Sequence, residues 1–279
     1  MKSRRAEQRE DTLDLNGVKV NVTHAVWLPG RQVTGFSRWR HERVLAEEDP
    51  QERISAHEFN TPSGRIVSRV SITNREPEHV LAESRADLLE ALGRDAKIER
   101  PLGILAGEMS DGRKCTINVN EYIPGKTLQA LSFRFWSRKK RVELAGKVIG
   151  RIYENHRRNV LHNHLHLRNI ILTPAGEVEL IDRTRMSFSG EDPGNGNDPN
   201  GLRQSGQTFK LMDLSTFTRN SLYPEPRYKS GRKQLLKPAP LLRSEAELRE
   251  ALEQSKYTLL GRSLDEIMAE LHEHHRERY

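Results

Sequence analysis

Three histidines, two asparagines and an aspartate stand close together in residues 161–182, LHNHLHLRNIILTPAGEVELID, of a chain of 279 residues. A neutral imidazole with a free pKa of ~6.5 can accept a hydroxyl proton near pH 7, and a base so placed contributes ~10²–10⁴-fold to a reaction. His162, His164 and His166 also alternate in the manner of metal ligands, but no acidic or cysteine residue stands beside them to complete a zinc set, so proton chemistry is the stronger reading. Asn169 precedes the apolar run Ile170-Ile171-Leu172, and Asp182 directly follows Val178-Glu179-Leu180-Ile181. Their structural alternatives are a turn residue and a strand-end cap.

The elements that must position these groups follow from periodicity. Residues 1–16 are polar and charged and read as a mobile basic arm. Val18 to Leu28 alternates as a strand. A glycine-containing turn over 28–36 then leads to an aromatic and basic segment around Trp39. Ile54 to Phe59, the turn Thr61-Pro62-Ser63-Gly64 and the alternating Ile66 to Ile72 predict a hairpin. A helix is expected from Pro77 to Leu92, with strands near 102–105 and 115–122. After Glu121-Tyr122-Ile123-Pro124-Gly125 the pattern turns helical, with Val142, Ala145, Ile149, Ile152 and Tyr153 on one face of 138–158. Asn159 suits the left-handed residue that ends a helix. Residues 187–207 are rich in Gly, Asn, Asp, Pro and Ser, as in a loop beside a site or an inert insertion. Ser244 with Glu247, and Ser263 with Glu266, are capping boxes opening two C-terminal helices.

The loop from His162 to Asn169, the strand leading to Asp182 and the order of the elements around them resemble the protein-kinase-like superfamily. Within it the chain looks most like bacterial lipopolysaccharide core kinases of the Kdo/WaaP type, over about residues 66–217. The resemblance implies an α+β, two-lobed protein-kinase-like fold: a small antiparallel β lobe with one helix over 17–123 and a larger helical lobe over 124–279. It implies ATP and Mg as cofactors, Asn169 and Asp182 as the metal ligands, and Asp213 as the anchor of the catalytic loop. Glu121 and Tyr122 would meet the adenine. The lysine that normally grips the phosphates has no counterpart in the strand 66–72, where Arg69 would substitute, paired with Glu83. The catalytic aspartate position holds His164, and no G-x-G-x-x-G is present.

The function expected on this resemblance is ATP-dependent phosphotransfer to a hydroxyl of a sugar or glycolipid such as lipopolysaccharide core. The alternative is a pseudokinase that serves as a nucleotide-binding or regulatory module. Lys and Arg number 46 against 39 Asp and Glu. That balance favours acidic partners: nucleotide, a phosphorylated glycolipid acceptor, or an anionic membrane touched peripherally. No zinc-finger or RNA-recognition pattern accompanies the basic runs, so nucleic acid is not expected. A single cysteine, Cys115, no apolar run approaching the ~20 residues of a membrane span and no apolar leader after the first ten residues predict a cytoplasmic protein.

Overall fold

The computed structural model describes residues 11–28, 30–31, 33, 35–46, 54–74, 76, 79, 81–82, 89, 94–182, 186–188, 206–223, 227–229, 232–236, 239–258 and 262–276. The chain divides into two compact units, residues 1–90 with 100–122 and residues 91–99 with 123–279.

The first unit is built on seven strands: β1 (Asp11–Leu15), β2 (Val18–Trp27), β3 (Arg40–Ala46), β4 (Ile54–Thr61), β5 (Gly64–Thr73), β6 (Pro101–Met109) and β7 (Lys114–Glu121). They form one antiparallel sheet in the order β1-β2-β6-β7-β5-β4-β3. Leu13 and Leu15 of one edge strand share an interior with Phe36 and Trp39, which lead into the other edge strand. The sheet therefore curls into a nearly closed, barrel-like form.

This corrects the expected two-lobed protein-kinase-like fold with its small antiparallel β lobe: a seven-stranded, barrel-like sheet dominates, with four helices among the described residues. The extra strands come from segments read otherwise in the sequence. Residues 11–15, assigned to a mobile arm, alternate Leu13 and Leu15 inward, and both are buried. Burial of each stabilises by roughly 1.5–3 kcal/mol, enough to hold a five-residue strand. Asn16 and Gly17, both at positive φ (57° and 91°), form the two-residue turn into β2, the geometry that an Asn-Gly pair adopts most readily. Residues 40–46, read only as an aromatic and basic segment, pair with β4. The helix expected over 77–92 falls mostly outside the described residues. Within it Leu81 is buried against Ile104 and Ala106, on the sheet face opposite the main cluster.

The second unit carries the helices α1 (Arg138–Arg157), α2 (Gly206–Leu222), α3 (Glu245–Ser255) and α4 (Leu264–Arg276) and the short strands β8 (Lys126–Thr127), β9 (Val160–Leu161), β10 (Ile170–Leu172), β11 (Val178–Leu180) and β12 (Ser187–Phe188). A further hairpin pairs β13 (Arg227–Lys229) with β14 (Arg232–Leu236). Helix α1 begins where Ser137 accepts the N–H of Lys140 at 3.3 Å and ends at left-handed Asn159, φ 56°. Its apolar stripe of Val142, Ala145, Ile149 and Ile152 joins Leu214, Phe217, Leu248 and Leu252 in the larger core. Ser244 accepts the N–H of Glu247, and Ser263 exchanges hydrogen bonds with Glu266. The Ser263–Glu266 capping box is thus complete, whereas at Ser244 only the serine half forms, because the Glu247 carboxylate accepts the N–H of Arg243 and pairs with Arg141 instead. Gly125 has φ 148°, and a Cβ there would lie 2.4 Å from the carbonyl oxygen of Leu172. Only glycine lets β8 approach β10 so closely.

Candidate functional site

The loop 162–169 hangs from one buried carboxylate. Asp213, in the middle of α2, accepts the backbone N–H of His162 at 2.8 Å through Oδ2 and that of Asn163 at 2.9 Å through Oδ1. Asn163 is left-handed, φ 58°, so successive N–H groups can turn toward one acceptor. The same Oδ2 lies 3.3 Å from Nε2 of His156, whose Nδ1 meets the Tyr257 hydroxyl at 3.0 Å. Burial, reinforced by the negative charge of Asp213, holds the Tyr257 phenol far above its ordinary pKa. Tyr257 therefore keeps its proton and donates it to Nδ1, and His156 donates from Nε2 to Asp213. This buried line fixes the loop's height and orientation.

His162 closes the other side of the loop by donating from Nε2 to the carbonyl of Ile181 at 2.8 Å. Ile181 N–H donates to the carbonyl of Asn169 at 2.9 Å. These two bonds bring Asp182, the next residue, beside Asn169. Asp182 is held at φ 76°, a left-handed conformation that a non-glycine residue adopts at some energetic cost, of the kind found at functional positions.

His164, Asn169 and Asp182 converge. Nδ1 of His164 lies 3.5 Å from Oδ2 of Asp182 and 3.4 Å from Nδ2 of Asn169. Nη2 of Arg168 approaches Nε2 of His164 at 3.5 Å. An arginine only donates, so Nε2 carries the lone pair and Nδ1 the proton, which faces Asp182. The Asn169 amide then makes its real bond elsewhere, from Nδ2 to the carbonyl of His164 at 2.9 Å. A carboxylate behind one imidazole nitrogen with a lone pair on the other is the orientation of a general base. The edge-to-face contact of the His166 ring, centroids 4.7 Å apart, buttresses the imidazole.

The residues fit a magnesium ion. The Asn169 amide nitrogen is committed inward, which leaves Oδ1 as its ligand atom, and the Asp182 carboxylate stands at the same imidazole nitrogen. Magnesium retains most of its shell as water and phosphate oxygen and requires one or two such protein oxygens. Among the described residues no group of three His, Cys, Asp or Glu is placed to hold a metal ion.

The other predicted site residues belong to the first unit. Arg69 is buried on β5, opposite Ala56 of β4 and Asn118 of β7, on the face away from Ile66 and Val70. Glu83, its expected partner, lies outside the described residues. Glu121 pairs with Arg31 and, at 3.9 Å, with Arg100. The Tyr122 ring is covered by the guanidinium of Arg65 at 3.8 Å. The backbone N–H groups of Glu121 and Tyr122 donate to the carbonyls of Arg100 and Arg65, at 2.8 and 3.2 Å. Neither N–H is therefore left to donate to an adenine ring. Sequence reasoning missed Arg168, His156 and Tyr257. His156 carried a signal, since it extends the apolar stripe Ile149-Ile152 by one turn, and a polar residue on a buried helix face requires a partner.

Among the described residues no helix is long and apolar enough to cross a membrane. No protein-family model matches the chain, and no curated protein matches it.

Proposed function

We propose that the chain is an ATP- and magnesium-dependent phosphotransferase acting on a hydroxyl of a sugar or glycolipid, with the loop 162–169 and Asp182 as its chemical centre. The observation that carries the reading is the convergence of Asn169 and Asp182 on Nδ1 of His164, on a loop suspended from Asp213. Asn169 Oδ1 and the Asp182 carboxylate would hold a magnesium ion, whose contribution when bound would be to offset phosphate charge. His164 takes the acceptor's proton at Nε2 as the oxygen–phosphorus bond forms and the bond to the departing nucleoside diphosphate breaks. Asp182 stabilises the resulting imidazolium through Nδ1. The net positive charge suits an anionic nucleotide and a phosphorylated acceptor.

A second reading, a nucleotide-binding module without transfer, is favoured by one contact: Arg168 occupies the Nε2 lone pair that a substrate hydroxyl would need. At 3.5 Å that contact is at the limit of a hydrogen bond and easily displaced.

Thermal-shift titration with ATP and magnesium tests binding, because a ligand selective for the native state raises the melting temperature. Phosphate transfer to a core-oligosaccharide acceptor then separates the readings. The absence of any ATP-dependent shift sinks both; a shift without turnover leaves the binding module.

A further inference from the structure

We propose that the loop 131–137, with the first turn of α1, docks on an anionic lipid bilayer, Phe135 entering the apolar layer while Arg134, Lys139, Lys140 and Arg243 lie over the headgroups. This inference stands apart from the phosphotransfer reading and does not rest on it.

Phe135 is 86% exposed, the most exposed large hydrophobic side chain among the described residues. It is held out by a braced loop. Phe133 is buried beside it, Arg141 donates to the carbonyl of Trp136 at 2.8 Å, and Arg243 donates to the carbonyls of Phe133 and Arg134 at 3.3 and 3.1 Å. A hydrophobic ring fixed in water by three such ties calls for an apolar partner.

The charges on its own stretch of chain are one-sided. Between Glu121 and Glu143 the chain has no acidic residue, but it has Lys126, Arg134, Arg138, Lys139, Lys140 and Arg141. The first turn of α1 carries no acid, so its cations oppose the positive end of the helix dipole and lower local stability. Arg138 is paired with Glu250 and Arg141 with Glu247. Glu143, exposed one turn further along the helix, is the acid nearest in sequence to the two lysines. Arg134, Lys139, Lys140 and Arg243 remain for an outside anion. Two of these charged heads lie against rings at the loop, the Arg134 guanidinium 5.5 Å from Phe135 and the Lys140 ammonium 4.1 Å over Trp136. A single protruding aromatic ringed by long cations, with tryptophan at its base, suits the bilayer interface. A protein partner would need a broader apolar patch than one ring provides.

The test is sedimentation of the full chain with phosphatidylcholine vesicles, either pure or containing about one-third phosphatidylserine. Binding to the anionic vesicles alone is expected. Phe135→Ser should weaken it roughly tenfold, the scale of a phenyl ring withdrawn from an apolar layer. Lys139→Glu with Lys140→Glu should abolish it. Because Phe135 is exposed, Phe135→Ser should leave the melting temperature unchanged, and that measurement accompanies each assay. Equal binding to neutral vesicles, no binding to either, or full binding by Phe135→Ser each overturns the proposal. So does retention of DNA in place of vesicles with the same dependence on Phe135, which would reassign the face to nucleic acid.

Discussion

Asp213 accepts the backbone N–H of His162 across 51 positions of sequence, through the same oxygen that receives His156. Asp213→Ala removes the acceptor for two loop N–H groups and strands His156. The expected cost is about 3–5 kcal/mol of stability, the scale for breaking a buried charged network. Urea denaturation measures it, and a loss below about 1 kcal/mol would mean the loop finds other partners.

Asp182 and His164 should fail differently. Asp182→Asn removes charge at the proposed metal and should abolish the magnesium dependence of nucleotide binding. His164→Ala should leave binding intact and lower phosphate transfer by roughly 10²-fold or more. Calorimetric titration and an acceptor assay report the two effects; turnover unaffected by His164→Ala eliminates it as the base.

Arg141 and Glu247 form a buried ion pair at 2.6 Å, with the arginine also donating to the carbonyls of Leu241 and Trp136. Glu247→Gln leaves that guanidinium without its counter-charge and should cost about 3 kcal/mol, whereas replacing both residues with apolar ones of similar volume should cost less. Thermal unfolding of the single and double variants decides it. A double variant less stable than Glu247→Gln would contradict the account.

His57 gives the first unit a pH response. Burial and the neighbouring His41, 3.2 Å away, lower its pKa from 6.5 to about 4. The native state keeps His57 neutral while the unfolded chain takes up a proton below about pH 6.5. Stability should therefore be intact above that pH, fall as pH drops to about 4, and change no further from this group below it. The loss is on the order of 2–3 kcal/mol. Melting curves between pH 7 and about pH 4 should be flatter for His57→Gln; an identical pH profile for the variant would remove His57 as the source.

The helical unit was legible because its signals are local. Apolar spacing located α1, two capping boxes located α3 and α4, and Asn159 stands at the left-handed position expected of it. The loop was legible too, since His164, Asn169 and Asp182 lie within nineteen consecutive residues and the short hairpin between them closes on itself. The sheet was not. Its order depends on pairings such as β2 with β6, more than eighty residues apart, and nothing local in Asp11–Leu15 says that two leucines suffice for an edge strand. Buried partners from distant segments were equally hidden. Tyr257 reaches His156 from 101 positions away, and only the folded chain joins them.

The segment 91–99 belongs to the helical unit although the sheet's strands flank it on both sides in sequence. Its tether is specific: Asn155 accepts the N–H of Lys97 at 2.7 Å, and Ile98 bridges to Leu180. On the ribosome, therefore, neither unit can be completed in a simple N-to-C order. The sheet must await β7 at residue 121, the excursion must await β11 at residue 180, and the loop that bears His164 gains its last brace only when Tyr257 has left the exit tunnel. A truncated chain ending before residue 257 would therefore carry the loop without the line that holds it in place.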